Sequence, residues 1–351
     1  MDTSAFVYDL PPELIAQEAA EPRDSARLLV AHGDAAPLHR HIRDLGDYLR
    51  PGDLLVLNRT RVIPARFEGR KESGGAVEVL LVHPLEQTSS PTWRCLIGGK
   101  VRVGTRIELP GLQVEVIALH DDGHRDVGFP SGTDVLAYAE QHGHVPLPPY
   151  IARPDRPHDR ERYQTVFADR PGSVAAPTAS LHLTTALLEQ FAANGVERAF
   201  VNLAIGPGTF KPVDTERIED YQIHAEHAEC PPETIAAVNA CRARGGRVIA
   251  VGTTVVRTLE TAARQPGGFA PYQGWTQLFL YPPQRLHIVD CLLTNFHLPR
   301  SSLLMLIACH TGVERLHALY AEAVNERYRF FSYGDAMLLL GQAGAFAPDQ
   351  S

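Results

Sequence analysis

One stretch decides the fold: Val248-Ile249-Ala250-Val251-Gly252-Thr253-Thr254-Val255-Val256-Arg257-Thr258-Leu259-Glu260. Its first four residues form an apolar run that is typical of a buried strand, and the residues after Gly252 keep helical spacing as far as Arg264. Such a short turn is expected where a strand leads directly into the helix that covers it. The stretch therefore predicts an α/β domain.

Similar apolar runs lie on both sides of this stretch. The predicted elements are strands at 54–57, 199–205, 277–281 and 286–293 and helices at 181–194 and 231–245. Before them, residues 10–49 are mixed in character and rich in turns. Strands that alternate with helices favour a mostly parallel or mixed sheet with both faces covered.

The sequence pattern changes between Phe67 and Leu119. Short apolar runs are separated by glycine-containing turns, and apolar residues at 112, 114 and 116 alternate with polar ones, as in a half-buried strand. Several short strands at this spacing predict a small antiparallel β-barrel. A predicted helix at 131–142 and a proline-rich stretch at 146–157 then lead back to the α/β pattern.

These patterns predict two domains. The α/β domain comprises residues 1–66 and 150–351, and an inserted β-barrel domain comprises residues 67–149. A chain of 351 residues is long enough for two buried cores.

Composition excludes several classes of protein. The chain has 44% apolar and 21% charged residues, as ordinary globular proteins do, which argues against a coiled coil or a disordered chain. Its net charge is −8, yet Lys and Arg outnumber acids between Arg59 and Arg106, so this part of the chain could carry a basic face for nucleic acid. The 5 cysteines form no C-x-x-C pair, which excludes a zinc ribbon and favours reduced thiols.

The chain begins without the pattern of a signal peptide, and its longest apolar run, 303–309, is far shorter than the roughly 18 residues that a membrane span needs. We therefore expect a cytoplasmic protein that does not enter a membrane.

Two turns at predicted strand ends are candidates for ligand contact. Gly252, Thr253 and Thr254 open a helix, where free N–H groups and the helix dipole favour a polar or anionic group. Gly208 and Thr209 close another strand at its carboxyl end, where open α/β sheets place ligands. A helix cap and a tight turn are the plain alternatives.

A run of small, uncharged residues at 171–180 precedes a predicted helix. Small side chains let a ligand approach the backbone, and Ser173, Thr178 and Ser180 add hydroxyl groups. The run is either a ligand-lining loop or a plain connection.

Several side chains are candidates for acid–base chemistry. His182, His224 and His297 can carry protons near neutral pH, as can Glu226, and Asp335 lies beside Tyr333 and a glycine between apolar residues. Such groups are also common as structural hydrogen-bond partners. Because no H-E-x-x-H helix is present, we expect no metal site.

Taken together, six blocks of the chain resemble the QueA family, the S-adenosylmethionine:tRNA ribosyltransferase-isomerases. They are residues 57–66, 162–167, 172–182, 251–260, 293–305 and 331–337. The resemblance runs in order from about Asp9 to Leu339. It implies an α/β domain with an inserted β-barrel, in agreement with the patterns above.

The resemblance also implies an activity in queuosine biosynthesis. Family members transfer the ribosyl part of S-adenosylmethionine to 7-aminomethyl-7-deazaguanine in the tRNA anticodon, rearrange the sugar to give epoxyqueuosine, and release adenine and methionine. S-adenosylmethionine is then a consumed substrate, and no cofactor is implied. The expected partners are S-adenosylmethionine and tRNA, without a membrane, and we expect a monomer.

For such a site we expect His182, Glu226, His297 and Asp335 to provide proton transfer and charge balance. The expected substrate-binding residues are Asn58, Thr60, Arg61, Arg66, Ser173, Thr178, Ser180, Gly208, Thr209, Gly252, Thr253, Thr254, Arg257, Asn295 and Tyr333.

The chain departs from the family pattern at Arg59, Ala204, Pro207 and Tyr221. These changes could alter the acceptor or the rearrangement, so one alternative is a diverged paralogue that uses S-adenosylmethionine as ribosyl donor to a non-tRNA acceptor. A third hypothesis is an RNA-binding module without catalysis, although the uncharged loop at 172–180 argues against it.

Overall fold

A computed structural model describes residues 1–85 and 90–341. Its strands are, in chain order, β1 (Arg27–His32), β2 (Leu38–His41), β3 (Leu54–Asn58), β4 (Thr60–Val62), β5 (Arg66–Lys71), β6 (Ala76–Pro84), β7 (Thr92–Ile97), β8 (Arg106–Leu109), β9 (Leu112–Leu119), β10 (His124–Gly128), β11 (Arg170–Ser173), β12 (Glu197–Ala204), β13 (Glu226–Cys230), β14 (Val248–Val251), β15 (Tyr272–Thr276), β16 (Cys291–Asn295) and β17 (Ala336–Leu340). The α-helices are α1 (Val135–His142), α2 (Asp159–Arg162), α3 (Thr185–Ala193), α4 (Pro232–Ala243), α5 (Thr253–Ala263), α6 (Ser302–Thr311) and α7 (Val313–Asn325).

The main sheet has 9 strands in the order β15-β13-β12-β3-β14-β16-β17-β1-β2. Its centre is parallel, since β3 pairs in parallel with both β12 and β14, and β14 with β16. The strand β17 then pairs antiparallel with β16 and parallel with β1. The sheet is therefore mixed, which confirms the predicted fold class.

Both faces of this sheet are covered. Along β3, Leu54 and Val56 pack into one apolar core, whereas Leu55 and Leu57 pack into another on the opposite face. This alternation follows from the two-residue period of a strand. The first core also contains residues of α4, α5, α6 and α7, and the second contains residues of α3. A two-sided core explains why β14 is apolar throughout and β3 is apolar as far as Leu57.

The inserted region forms a closed barrel of six antiparallel strands, β10-β7-β6-β5-β8-β9. Val114 and Val116 point into its core, while Gln113 and Glu115 of the same strand are exposed. The predicted barrel and the period of β9 are confirmed. The predicted domain boundaries at 67 and 149 stay predictions.

Several predicted element bounds were wrong. Residues 277–281 are not a strand, because the paired strand β15 ends at Thr276, before Pro282 and Pro283. Only the end of the run 286–293 pairs, in β16. The helix predicted at 181–194 begins later, because the Thr184 hydroxyl caps α3 by accepting the N–H of Leu187 at 3.1 Å. The turn-rich segment before residue 49 contains β1 and β2.

Within residues 1–85 and 90–341, no helix is both long enough and apolar enough to cross a membrane.

Candidate active site

The central cavity lies at the carboxyl ends of β14 and β16, between the N-termini of α5 and α6. The space between its lining residues is about 680 Å³, part of which is open to solvent. Ligands of open α/β sheets bind at this end of parallel strands. The lining residues are Tyr150, Ala175, Ala176, Pro177, Thr178, Ala179, Ile205, Thr209, Gly252, Thr253, Thr254, Thr294, Asn295, His297, Leu298, Ser301, Leu303, Phe331 and Ser332.

One wall is the small-residue loop. Residues 175–179 line the cavity, and no charged side chain occurs among them. The hydroxyl of Ser173 fixes the start of this loop, since it donates to Ala175 O at 2.7 Å and accepts the N–H of Ile205 at 2.9 Å. Thr178 therefore lines the cavity directly, whereas Ser173 positions the loop. Ser180 is buried, and its hydroxyl has no hydrogen-bond partner among the described residues.

The N-terminus of α5 forms a second wall. Gly252 has a φ of +98°, a conformation that favours glycine, and its N–H donates to Leu293 O at 2.8 Å. Thr253 and Thr254 follow in the first turn, where N–H groups have no acceptor within the helix. This end of the helix presents hydrogen-bond donors and a positive partial charge to the cavity.

An aromatic pair closes the third side. The rings of Tyr150 and Phe331 stack with centroids 4.3 Å apart, and the Tyr150 hydroxyl bonds to Ser332 Oγ at 2.6 Å. A flat apolar surface of this kind suits a planar ring such as a purine. The pair joins the proline-rich stretch to the segment before β17. Tyr150 is not among the predicted site residues, although an aromatic residue within a rigid proline-rich stretch is a sequence signal for it.

His297 is the cavity-lining candidate for proton transfer. Its Nε2 lies 2.9 Å from Thr294 Oγ1, and its backbone N–H donates to Tyr320 Oη at 3.0 Å. Burial lowers the pKa of the His297 imidazole below its usual value. The ring is therefore neutral at pH 7.

Asn295 lines the same cavity as His297, and hydrogen bonds fix the orientation of its side-chain amide. Its amide nitrogen contacts Phe331 O at 3.1 Å, Asp335 O at 3.3 Å and His182 Nε2 at 3.3 Å. Backbone oxygens can only accept, so the nitrogen side of the amide faces them. The amide oxygen is buried and has no hydrogen-bond partner in the part of the chain that the structure describes. Asn295, which lines the cavity, therefore keeps an unused hydrogen-bond acceptor.

Two predicted catalytic residues lie behind this wall and not in the cavity. Burial lowers the pKa of His182 to about 4, so it is neutral and accepts from Asn295. The Asp335 carboxylate accepts the backbone N–H groups of Arg27 and Arg329 and pairs with the Arg329 guanidinium at 3.0 Å. Both residues are placed to support Asn295 and the segment before β17.

Glu226 and Arg257 also lie outside the cavity. One Glu226 oxygen accepts the N–H of Gly206 at 2.9 Å, and the other pairs with Arg257 Nη1. Arg257 belongs to α5, so the pair connects the loop after β12 to the helix whose N-terminus lines the cavity. Thr209, in the same loop, reaches the cavity, while Gly208 lines a separate cleft.

Asn58 and Thr60 contribute indirectly. The Asn58 amide donates to Leu203 O at 3.1 Å and to Thr254 Oγ1 at 3.2 Å, and its oxygen accepts the N–H groups of Thr60 and Leu203. Asn58 thereby ties β3 to β12 and holds Thr254 in place. Tyr333 is similarly engaged, since its hydroxyl donates to Asp159 Oδ1 at 2.8 Å.

Two predicted binding residues near the barrel, Arg61 and Arg66, do not line the central cavity. Arg61 pairs with Glu140 at 2.9 Å, and Arg66 pairs with Asp155 at 2.8 Å. Arg59, one of the positions that depart from the family pattern, faces Asp169 at 3.8 Å and does not line the cavity either.

Other cavity residues were not singled out in the sequence. Thr294, Leu298, Ser301 and Leu303 flank the Asn295–His297 segment and become visible as site residues only once β16 and α6 are placed. Within the described residues, no group of three or more His, Cys, Asp or Glu side chains is arranged to hold a metal ion.

Comparison with known proteins shows the family to which this chain belongs. A family model described as "Queuosine biosynthesis protein" matches residues 3–339. The chain belongs to this queuosine biosynthesis family. It is 51% identical over 342 residues to the S-adenosylmethionine:tRNA ribosyltransferase-isomerase of Anaeromyxobacter sp. (strain Fw109-5), an alignment covering 97% of this chain and 99% of that protein.

Other members of the queuosine biosynthesis family are as similar. A Thermus thermophilus protein of the same name is 51% identical over 96% of this chain and 99% of its own length. The crystal structure of an S-adenosylmethionine tRNA ribosyltransferase from Thermotoga maritima matches with a TM-score of 0.56 and 39% identity, covering 96% of this chain and 100% of that one. The family predicted from the six sequence blocks is thus confirmed.

Proposed function

We infer that this protein is an S-adenosylmethionine:tRNA ribosyltransferase-isomerase that acts in queuosine biosynthesis. Full-length similarity to curated enzymes of that name supports this function. The observation that carries it is the cavity that joins residues of four sequence blocks, at 172–182, 251–260, 293–305 and 331–337. A catalytic site of this kind also argues against an RNA-binding module without chemistry.

The proposed reaction balances without a redox cofactor. The amine nitrogen of 7-aminomethyl-7-deazaguanine in tRNA loses one proton and forms one bond to a ribosyl carbon of S-adenosylmethionine. The bonds from C1′ to adenine and from C5′ to sulfur break, a new bond between C1′ and C5′ joins the five sugar carbons into a ring, and the ring oxygen remains as the epoxide. Adenine, methionine and one proton leave. The positive sulfur acidifies the neighbouring C5′ hydrogens, so a positioned base can start the sequence.

We assign the first proton transfer to His297. It lines the cavity, it is neutral at pH 7 because burial lowers its pKa, and Thr294 Oγ1 fixes its Nε2. A neutral imidazole can accept a proton and later return it to the departing adenine. Glu226, His182 and Asp335 are proposed as positioning residues, because their side chains are engaged with other protein groups.

The remaining walls fit the parts of the donor. The Tyr150–Phe331 pair is proposed to stack on adenine, and Asn295 Oδ1 to accept a hydrogen bond from a donor hydroxyl or amino group. The N–H groups at Thr253 and Thr254 are placed to receive a carboxylate or ribose oxygen. Thr178 and Thr209 add hydroxyl groups nearby.

The decisive experiment incubates the purified protein with S-adenosylmethionine and tRNA that carries the aminomethyl-deazaguanine base. Adenine release together with the expected gain in tRNA mass supports the proposal. Adenine release only with a small amine acceptor would instead support a diverged paralogue. Salt-sensitive tRNA binding without turnover would support a binding module. Cytoplasmic location and a monomeric state stay predictions.

A further inference from the structure

A second cavity lies between the barrel and the edge of the main sheet and contains about 930 Å³ of empty space. Barrel strands supply His83, Arg94 and His124, and the main domain supplies Lys211, His224 and Trp275. We call this cavity the interdomain cleft. Neither the proposed catalytic base nor the aromatic pair lines it.

Trp275 is the distinctive residue of the interdomain cleft. It lies on the edge strand β15, and its side chain is 51% exposed. Its ring contacts His83 of the barrel with centroids 4.9 Å apart and its cross-strand partner His227 at 5.6 Å. An indole that is held on two sides by rings and still half open to solvent can stack on one more flat group.

The imidazoles around Trp275 are suited to neutral hydrogen bonding. Burial lowers the pKa of His83 and of His224, so both are uncharged at pH 7. The rings of His124 and His224 meet edge to face, with centroids 6.3 Å apart. The neutral imidazoles of His83 and His224 can both donate and accept hydrogen bonds, as the edge of a nucleobase requires.

Among the charged side chains of the interdomain cleft, the ammonium group of Lys211 is available to a ligand. Both acids are engaged, Asp122 with His124 and Glu226 with Arg257. Arg94 is paired with Asp126, whereas Lys211 is exposed at the cleft wall. An exposed ammonium beside a stacking ring matches a nucleotide, which has a base and a phosphate.

The interdomain cleft is adjacent to the proposed active site. The loop after β12 lies between them, since Ile205 and Thr209 line the central cavity whereas Gly206, Pro207 and Gly208 line the cleft. A chain of RNA lying in the cleft is therefore next to the place where the sugar donor is proposed to bind.

We propose that the interdomain cleft binds an unpaired nucleotide of the tRNA substrate, with Trp275 stacking on its base and Lys211 facing its phosphate. This inference rests on the proposed function, because it assigns the binding surface for the RNA substrate of that reaction. Sequence-selective RNA recognition uses unpaired bases stacked on aromatic side chains.

The first test uses tryptophan fluorescence, because the chain has 2 Trp residues and the other, Trp93, is 5% exposed in the barrel core. Adding a tRNA transcript should quench the emission of the wild-type protein, after correction for RNA absorbance. The variant Trp275→Phe should show no such quenching. An RNA duplex without unpaired bases should leave the wild-type emission unchanged. Equal quenching by the duplex, or quenching that persists in Trp275→Phe, would overturn the proposal.

The second test separates RNA binding from donor binding. Trp275→Ala should raise the KM for tRNA about tenfold or more and leave the KM for S-adenosylmethionine unchanged. Trp275→Phe should restore most of the loss. Leu38→Ala is the matched control, since Leu38 is 45% exposed on β2, at the opposite edge of the sheet. An unchanged KM for tRNA in Trp275→Ala would refute the assignment.

The two proposals fail in different ways. If the wild-type protein binds tRNA and quenches as described but never releases adenine, the proposed function fails and the RNA surface stands. If it releases adenine normally while Trp275→Ala keeps wild-type binding of tRNA, the proposed function stands and the RNA surface is wrong.

Discussion

Glu226 of β13 and Arg257 of α5 form an ion pair in which both side chains are buried. The free oxygen of the carboxylate holds the N–H of Gly206 at 2.9 Å. One buried carboxylate thus joins an edge region of the sheet, the loop between the two cavities and the helix whose N-terminus lines the central cavity. From this position we expect Glu226 to be structural, and its catalytic role stays a prediction.

Replacing Glu226 by Gln should destabilise the fold strongly, because the Arg257 guanidinium would remain buried without its counter-charge. The expected loss in free energy of unfolding is roughly 3 kcal/mol, measured by urea unfolding. The control Glu140→Gln breaks the exposed pair with Arg61 and should cost at most about 1 kcal/mol. Equal effects of the two variants would contradict the structural role given to Glu226.

His297→Gln should reduce adenine release by about 100-fold or more, the usual size of a lost acid–base group. The variant should remain folded, as judged by circular dichroism. His310→Gln is a suitable control, because burial also lowers the pKa of His310 but its ring faces Asp290 O, outside the central cavity. A rate within a few-fold of wild type for His297→Gln would remove His297 from the proposed chemistry.

Asn295→Asp should destabilise the protein by roughly 3 kcal/mol at pH 7, because a carboxylate cannot donate to Phe331 O or Asp335 O. Asn202→Asp, at a partly exposed position of β12, provides the comparison and should have a smaller effect. Urea unfolding of both variants measures the difference. If both lose the same stability, the orientation assigned to the Asn295 amide is wrong.

The pH dependence of stability should contain a contribution from His182. Its pKa is about 4 in the folded protein and 6.5 ordinarily, so between these values the unfolded chain binds more protons and stability falls as the pH is lowered. At pH 5 the loss relative to pH 7.5 is roughly 2 kcal/mol. In His182→Gln, urea unfolding at the two pH values should show a correspondingly smaller difference. An identical pH slope in the variant would show that His182 titrates normally.

Gly208→Ala should slow tRNA-dependent turnover by about tenfold or more, because a Cβ there would lie 2.5 Å from His224 Cδ2 and displace the loop that carries Thr209. Gly206→Ala in the same loop is the matched control, since its Cβ would meet only Glu226 Oε1, at 4.0 Å. Steady-state adenine release measures both. Wild-type turnover in Gly208→Ala would mean that the loop can shift without cost.

Much of the fold could be predicted because local pattern and tertiary environment agree. The run 248–251 is buried on both faces, and the alternation in β9 matches a barrel wall. The edge strand β2 escaped prediction because it has the burial pattern of a surface segment, and nothing local distinguishes it from a turn-rich connection. The strand β1 does contain a short apolar run, at 28–31, but this run lies within a segment that is otherwise mixed.

The segments that form the site could be predicted, but not which of their side chains line the cavity. Gly252, Thr253, Asn295 and His297 meet in one cavity, as their blocks suggested. Sequence could not separate residues that face the cavity from those one layer behind it, such as His182 and Asp335. That distinction depends on which side of the 178–182 turn and of the 331–335 turn a side chain leaves, and only the packed structure determines it.

The strand β17 lies inside the sheet, between β16 and β1, although it is the last strand among the described residues. During synthesis the ribosome releases β1 and β2 first, and these two strands have no neighbour in the sheet until residues 336–340 have emerged. The hairpin of β1 and β2 can therefore join the main sheet only after β17 has been synthesised. In a nascent chain that stops before Ala336, the barrel could be complete while this hairpin still has no strand of the sheet to pair with.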